Sequence, residues 1–259
     1  MMYMEEKSGS PLVSVIMPAY NAEPYIEEAI RSVLNQTVRD LELIVIDDTS
    51  TDRTRDIIRA IAHEDRRVRP FFNEKNLGVA KTRNRGLELC HGRYVALLDS
   101  DDYWKAQMLE RMVARAEETG ADIIYCSYEL VDEAGKKVCN DFIVPPETTF
   151  RESIVRSVIT CSTVLVTGEL AKTNRFPTDM YHEDIAMWFR ILKDGASACG
   201  VTEVLAAYRQ HSGSRSSDKL VSACRRWPIY RKHLQMSVPE TISVLVRYAF
   251  YGLKKFKRI

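Results

Sequence analysis

Apolar positions along the chain fall into two kinds of run. Short continuous stretches, Val13-Ser14-Val15-Ile16-Met17, Leu43-Ile44-Val45-Ile46, Val68–Phe72 and residues 94–98, alternate with longer segments whose apolar residues recur every three or four positions. The first kind predicts strands; the second predicts helices with one buried face. Ile26, Ala29, Ile30, Val33 and Leu34 mark a first helix. Ile57, Ile58 and Ile61 mark a second, with Thr51-Asp52 placed to cap it, and a third runs from about Gly78 to Cys90. Beyond residue 102 the pattern predicts a helix carrying Met108, Met112 and Ala116, a strand over 122–128, and an excursion over 131–144 that turns at 132–135. A helix at 152–158, a strand at 163–166, a helix through Met187, Ile191 and Leu192, and a strand at 201–208 follow.

Strands that are apolar on both faces and separated by helices predict an α/β fold: a mostly parallel central sheet with helices on both faces. In such sheets ligands bind outside the carboxyl ends of the strands. Asp47-Asp48 and the acidic residues at 99–102 fall at two such ends, so pattern alone directs attention there. With no internal repeat or low-complexity linker, the expected organisation is a flexible stretch at 1–10, a continuous domain at 11–217 and a tail at 218–259.

The 259 residues can bury a sizeable core, and 45% hydrophobic and 28% charged residues are ordinary for a globular protein. A net charge of +1 argues against a dedicated nucleic-acid binder. That balance is uneven, because from Asp218 onward ten lysines and arginines face only Asp218 and Glu240. Cys90, Cys126, Cys139, Cys161, Cys199 and Cys224 show neither a CxxC pair nor zinc-like spacing, and read as thiols of a reducing cytoplasm. The first ten residues lack the apolar core of a signal peptide, and no run of about 20 apolar residues exists to span a bilayer as a simple helix. The expected location is cytoplasmic.

Asp99 and Asp101 stand two apart just past a buried strand, so in extended chain their carboxylates face one ligand. Hard oxygen donors on an open loop suit Mg²⁺ or Mn²⁺ held by one or two carboxylates plus substrate phosphates. Taken alone, the same residues read as a solvated turn with Asp102 capping the next helix. Asp184, opening a helix that carries Ile185, Met187, Trp188, Ile191 and Leu192, likewise reads alone as a residue favoured by the helix dipole.

Order and spacing change those readings. Val13-Ser14-Val15-Ile16-Met17-Pro18-Ala19-Tyr20-Asn21, Ser32-Val33-Leu34-Asn35-Gln36-Thr37 and Asp47-Asp48-Thr49-Ser50-Thr51-Asp52 come first. Asn76-Leu77-Gly78-Val79-Ala80, Arg83-Asn84, the 99–102 cluster, His182-Glu183-Asp184 and Tyr208-Arg209-Gln210-His211 follow. Together they resemble the family 2 glycosyltransferases with a GT-A fold over about residues 11–217, with a nucleotide-binding half to about 102 and an acceptor half after it. The resemblance implies that Pro18, Ala19 and Tyr20 line a base and ribose pocket with Glu23 nearby. Asp48, or Asp47, would accept from the N–H edge of a uracil-like base. Gly78 would let the backbone approach the nucleotide, Arg83 would sit near the diphosphate, and Asp99 and Ser100 would touch the donor. Asp101 would be the main metal ligand, with Asp99 and His211 completing the sphere of a Mn²⁺ or Mg²⁺ ion. Arg209 and Arg215 would hold the diphosphate from a loop that closes over it.

The resemblance also makes Asp184 the base that deprotonates an acceptor hydroxyl, with Glu183 orienting it or touching the acceptor, in a single inverting displacement. His211-Ser212-Gly213-Ser214 replaces the Q-x-x-R-W of processive relatives and implies transfer of one sugar. Overall size, the Cys161-Ser162-Thr163 segment and the basic tail are similar to bacterial transferases of teichuronic acid and exopolysaccharide assembly. The implied partners are a nucleotide-diphosphate sugar, UDP first with dTDP and GDP open, and a glycan or lipid-linked acceptor. Ile242, Leu245, Val246, Ala249, Phe250, Leu253 and Phe256 follow helical spacing among cationic residues. That helix reads either as peripheral membrane contact through 238–259, at the inner face of the cell membrane, or as packing on the domain or a second subunit of a homodimer. Other classes fit less. A sugar-phosphate nucleotidylyltransferase needs a Gly-rich basic loop where Pro18-Ala19-Tyr20-Asn21 stands, and a non-catalytic nucleotide- or carbohydrate-binding module has no need of Asp99, Asp101 and Asp184. A phospho-acceptor signalling domain would end near 120 residues.

Overall fold

A computed structural model describes residues 9–211 and 219–256. Four strands, β1 (Val13–Ala19), β2 (Leu41–Asp47), β3 (Val68–Phe72) and β4 (Tyr94–Leu97), run parallel in the order β3-β2-β1-β4. Each is followed by its expected helix or acidic loop: α1 (Ile26–Leu34), α2 (Thr54–Glu64) and α3 (Val79–Leu89). Every residue of β1 and β2 is buried, which is why both read as unbroken apolar runs. Alternate side chains serve opposite faces: Val13, Val15 and Met17 pack with α1, and Ile16 packs beneath α3. A methyl group at Gly86 of α3 would run into the Ile16 side chain, so the helix lies tight on β1 and delivers Arg83, one turn earlier, to the strand ends.

The second half holds β5 (Tyr103–Trp104), α4 (Met108–Thr119), β6 (Ile123–Val131), α5 (Phe150–Arg156), β7 (Val164–Thr167), α6 (Gly168–Thr173), α7 (Glu183–Lys193) and β8 (Ala198–Arg209). These strands extend the same sheet as β4-β7-β6-β8-β5. The sheet is mostly parallel, as expected, and its antiparallel pairs lie in this half. β6 and β8 are parallel, but β7 runs antiparallel to both β4 and β6, and β5 antiparallel to β8. An apolar run announces burial on two faces and carries no direction, so Val164-Leu165-Val166 reads alike either way.

α8 (Lys219–Pro228) passes through a π turn and leads to α9 (Val238–Phe256). Thr241 and Val244 of α9 are buried, Val244 in a cluster with Ile154, Val155, Phe189 and Tyr230, while Val238, Ile242, Val246 and Phe250 are exposed. The two readings of the tail helix therefore fall on different faces of it: one face packs on the domain and another is left apolar and open. Among the described residues no helix is long and apolar enough to cross a membrane.

Candidate functional site

The ends of β1, β2 and β4 open into a cleft of about 650 Å³. Pro18 and Ala19 finish β1 on its wall, and Tyr20 forms a half-exposed lip. The turns after β1 and β2 pin each other: Asn21 N donates to Ser50 Oγ at 2.9 Å and Thr51 N to Asn21 Oδ1 at 2.8 Å. Both turns use the left-handed region, with φ of 48° at Asn21 and 66° at Thr49. For a β-branched residue such as Thr49 that conformation costs about 1 kcal/mol or more. The strain sits directly beside Asp48.

Asp48 lines the cleft, and three donors fix its carboxylate: Asn73 Nδ2 at 2.6 Å, Leu77 N at 2.9 Å and Gly78 N at 2.8 Å. Gly78 has φ of 81°, open to glycine and strained for other residues, and this lets the loop before α3 wrap the carboxylate. Asp47 points elsewhere. It is fully buried and paired with Arg55 at 2.8 Å, so of the two candidates Asp48 faces the ligand space. Glu23 is a second correction. Its carboxylate accepts from Arg53 N at 3.0 Å, holding the turn before α2, and it does not line the cleft.

Asp99, Ser100 and Asp101 form the opposite wall. Asp101 Oδ2 lies 2.9 Å from His211 Nε2, and the His211 ring packs on Tyr25 at 5.1 Å. Burial, and then the neighbouring Asp99 charge, raise the Asp101 pKa against the opposing contact with His211. Asp102 is buried; its pKa lies well above the usual carboxylate range through burial and the charges of Asp101 and Asp99. Its Oδ1 accepts from Arg209 N at 2.7 Å, while Oδ2 is buried with no hydrogen-bond partner among the described residues. Carboxylates this crowded suit a divalent cation, and Asp101, Asp99 and His211 offer the matching oxygen and imidazole donors. Among the described residues no group of three or more His, Cys, Asp or Glu is arranged to hold a metal by itself, so ligand oxygens would have to supply the remaining sites.

Arg83 links this wall to the start of α7. It is 4% exposed, its Nη2 is 2.5 Å from Asp99 Oδ1, and its Nη1 is 2.8 Å from Glu183 Oε1. Burial opposes the guanidinium charge, but Asp99, Glu183 and Asp184 outweigh it and hold the pKa well above its ordinary value. Arg83 lines the cleft, but as a bridge between two carboxylates. Glu183 is buried and Asp184 half-buried in the first turn of α7. Neither lines the cleft itself, yet Tyr208 feels Asp99, Asp101, Asp102 and Asp184 together, so the acids separated by some eighty residues share one neighbourhood.

Arg209 departs from its expected place. Its guanidinium is taken up by Glu28 (2.6 Å), Asp101 O (2.8 Å) and Glu133 O (2.9 Å), and lies over Tyr25. It is 5% exposed and is not among the cleft-lining residues, and three of its five N–H donors go to these protein partners, so it braces the 99–102 loop. Arg215 lies outside the described residues. Tyr25, Asn73 and Asn76 were not singled out as site residues, although Asn76 stands in one of the quoted motifs. Tyr25 and Asn76 line the cleft, and Asn76 Nδ2 donates to Asp48 O at 3.1 Å. Tyr25 and Asn73 carry no sequence signal, because their partners come from distant loops.

Comparison with known proteins adds to this geometry. The family profile described as Glycosyl transferase family 2 matches residues 14–138. The putative teichuronic acid biosynthesis glycosyltransferase TuaG of Bacillus subtilis is 37% identical over 245 residues, covering 95% of this chain and 97% of that protein. The UDP-Glc:alpha-D-GlcNAc-diphosphoundecaprenol beta-1,3-glucosyltransferase WfgD of Escherichia coli is 34% identical over 245 residues, covering 94% of each. Among solved structures, S. aureus TarS 1-349 in complex with UDP-GlcNAc aligns with a TM-score of 0.70 at 22% identity, over 92% of this chain and 71% of that one.

Proposed function

The chain belongs to glycosyl transferase family 2, and from that premise we propose that it transfers one sugar from a UDP-sugar to a hydroxyl of a lipid-linked cell-envelope glycan, with inversion. The observation that carries this reading is the Arg83 bridge, which draws the Asp99 side of the donor cleft and the Glu183-Asp184 turn to one guanidinium. Asp48, held by three N–H donors, keeps lone pairs for the N–H edge of the base, and Pro18, Ala19 and Tyr20 form the wall beside it. Asp101, with Asp99 and His211, would hold Mn²⁺ or Mg²⁺. Once bound, such an ion offsets charge growing on the departing diphosphate.

In the transfer step the acceptor oxygen bonds to the anomeric carbon as the bond from that carbon to the diphosphate oxygen breaks. UDP leaves with the electron pair, and the acceptor proton passes to Asp184. Glu183, fixed by Arg83, orients the turn that carries this base. One base and one displacement give inversion without a covalent enzyme intermediate. The names of TuaG and WfgD support a cell-envelope glycan and, for WfgD, a diphosphoundecaprenol-linked acceptor. Peripheral membrane contact is supported by the exposed Val238, Ile242, Val246 and Phe250 of α9, set in a segment with ten basic residues.

Thermal shift with a nucleoside diphosphate panel, with and without Mn²⁺, tests the donor assignment. A Mn²⁺-dependent rise with UDP alone is expected. No stabilisation by any diphosphate would remove the assignment.

A further inference from the structure

The donor cleft accounts for the side of the Glu183-Asp184 turn that meets Arg83. Just before that turn stands a cation to which the transfer chemistry gives no work. Arg225 of α8 is exposed and lies over the ring of Tyr181, its guanidinium carbon 3.7 Å from the ring centroid. Stacking of this kind uses the face of the guanidinium and leaves the N–H fork at its edge. Among the described residues no carboxylate pairs with Arg225 and no hydrogen bond to its fork is present. Its neighbour Arg226 is used quite differently. It is buried, donates from Nη1 to Ser157 Oγ at 2.7 Å and lies over Tyr248 at 4.2 Å. Arg226 thus fastens α8 to α5 and α9, so Arg225 is presented from a fixed helix with its donors open.

The position has chemical meaning. Tyr181 precedes Asp184 by three residues, a stretch of chain that reaches at most about 11 Å. A planar fork suited to bidentate phosphate binding therefore rests on the segment that leads directly into the base. The donor diphosphate already has its seat beside Asp99 and Asp101, so a second anion here belongs to the acceptor. α8 also packs on α9, which carries an open apolar stripe. Resting on the transferase reading above, we infer that Arg225, stacked on Tyr181, holds the diphosphate of a polyisoprenyl-diphosphate-linked acceptor, with the acceptor sugar spanning from Arg225 to Asp184.

Calorimetric titration of farnesyl diphosphate into full-length protein tests this, with UDP and Mn²⁺ at saturation to close the donor cleft. The wild type is expected to bind farnesyl diphosphate. Arg225→Ala should weaken that binding at least tenfold while UDP affinity stays within twofold, and Arg225→Lys should fall between, because it keeps the charge and loses the fork. Farnesol should not bind measurably. Equal affinity of wild type and Arg225→Ala for farnesyl diphosphate, or no binding by either, overturns the inference. Inorganic pyrophosphate binding as tightly as farnesyl diphosphate and with the same Arg225 dependence would make this a free-diphosphate site, and would overturn the lipid-linked assignment. Failure of UDP to bind the wild type sinks the donor assignment instead, whatever Arg225 does.

Discussion

Replacing Arg83 with methionine keeps most of the side-chain volume and removes the charge that joins the two acidic walls. The Arg83 side chain is 5% exposed, that of Glu183 6% and that of Asp99 30%. Stranding one member of a buried pair costs about 3–5 kcal/mol, because the remaining carboxylate has lost both its solvent and its partner. Glu183 makes a further contact besides Arg83, so for it that figure is an upper bound. Asp99 can rehydrate, so its share is that of a surface pair, about 0–1 kcal/mol. The expected destabilisation lies between about 1 and 5 kcal/mol, measured as a fall in urea midpoint at constant m-value. Glu183→Gln removes the stranded charge, so the double variant Arg83→Met/Glu183→Gln should be more stable than the sum of the single losses implies, by about 2 kcal/mol. Strict additivity, or a loss below about 1 kcal/mol for Arg83→Met, would refute the bridge as the element that holds the Glu183-Asp184 turn to the Asp99 wall of the cleft.

Three further outcomes follow from particular residues. Asp184→Asn should lower transfer, read as acceptor-dependent UDP release, by about 10²- to 10⁴-fold while UDP affinity holds; equal losses in both would make Asp184 a helix-start residue only. Exchanging Ile242, Val246 and Phe250 for serine should reduce partitioning onto phosphatidylglycerol vesicles by about tenfold or more, since each apolar side chain withdrawn from water contributes about 1.5–3 kcal/mol. Unchanged partitioning would remove the membrane role of α9. Burial tends to raise the Glu42 pKa, but the Ser14 hydroxyl, the His91 amide and Arg69 together bring it below its ordinary value of 4.5. Its contribution to stability is therefore full above about pH 4.5 and lost as pH falls through the lower folded value. Urea midpoints of wild type and Glu42→Gln should differ at neutral pH and converge in acid, and a constant gap would contradict that pairing.

Much of the fold was legible because burial leaves a periodic trace. β1 and β2 read as unbroken apolar runs since both of their faces are covered, and α1 shows its buried side every three or four residues. The strand ends follow from the same runs, so Asp48, Asp99 and Asp101 could be placed at one edge of the sheet before any coordinates. Periodicity does not say which way a strand runs or what a side chain will meet. The antiparallel course of β7, the choice of Asp48 over Asp47, and the removal of Glu23 and Arg209 from the ligand space all depended on neighbours supplied from elsewhere in the chain. Arg83 and Glu183 lie 100 positions apart, and only the fold that brings α3 and the start of α7 together makes them partners. α9 carries two apolar faces in its sequence, and the fold alone selected which to bury against α5. Sequence fixes what each residue can do locally, whereas electrostatic pairing is a property of distance, and distance here is set by topology.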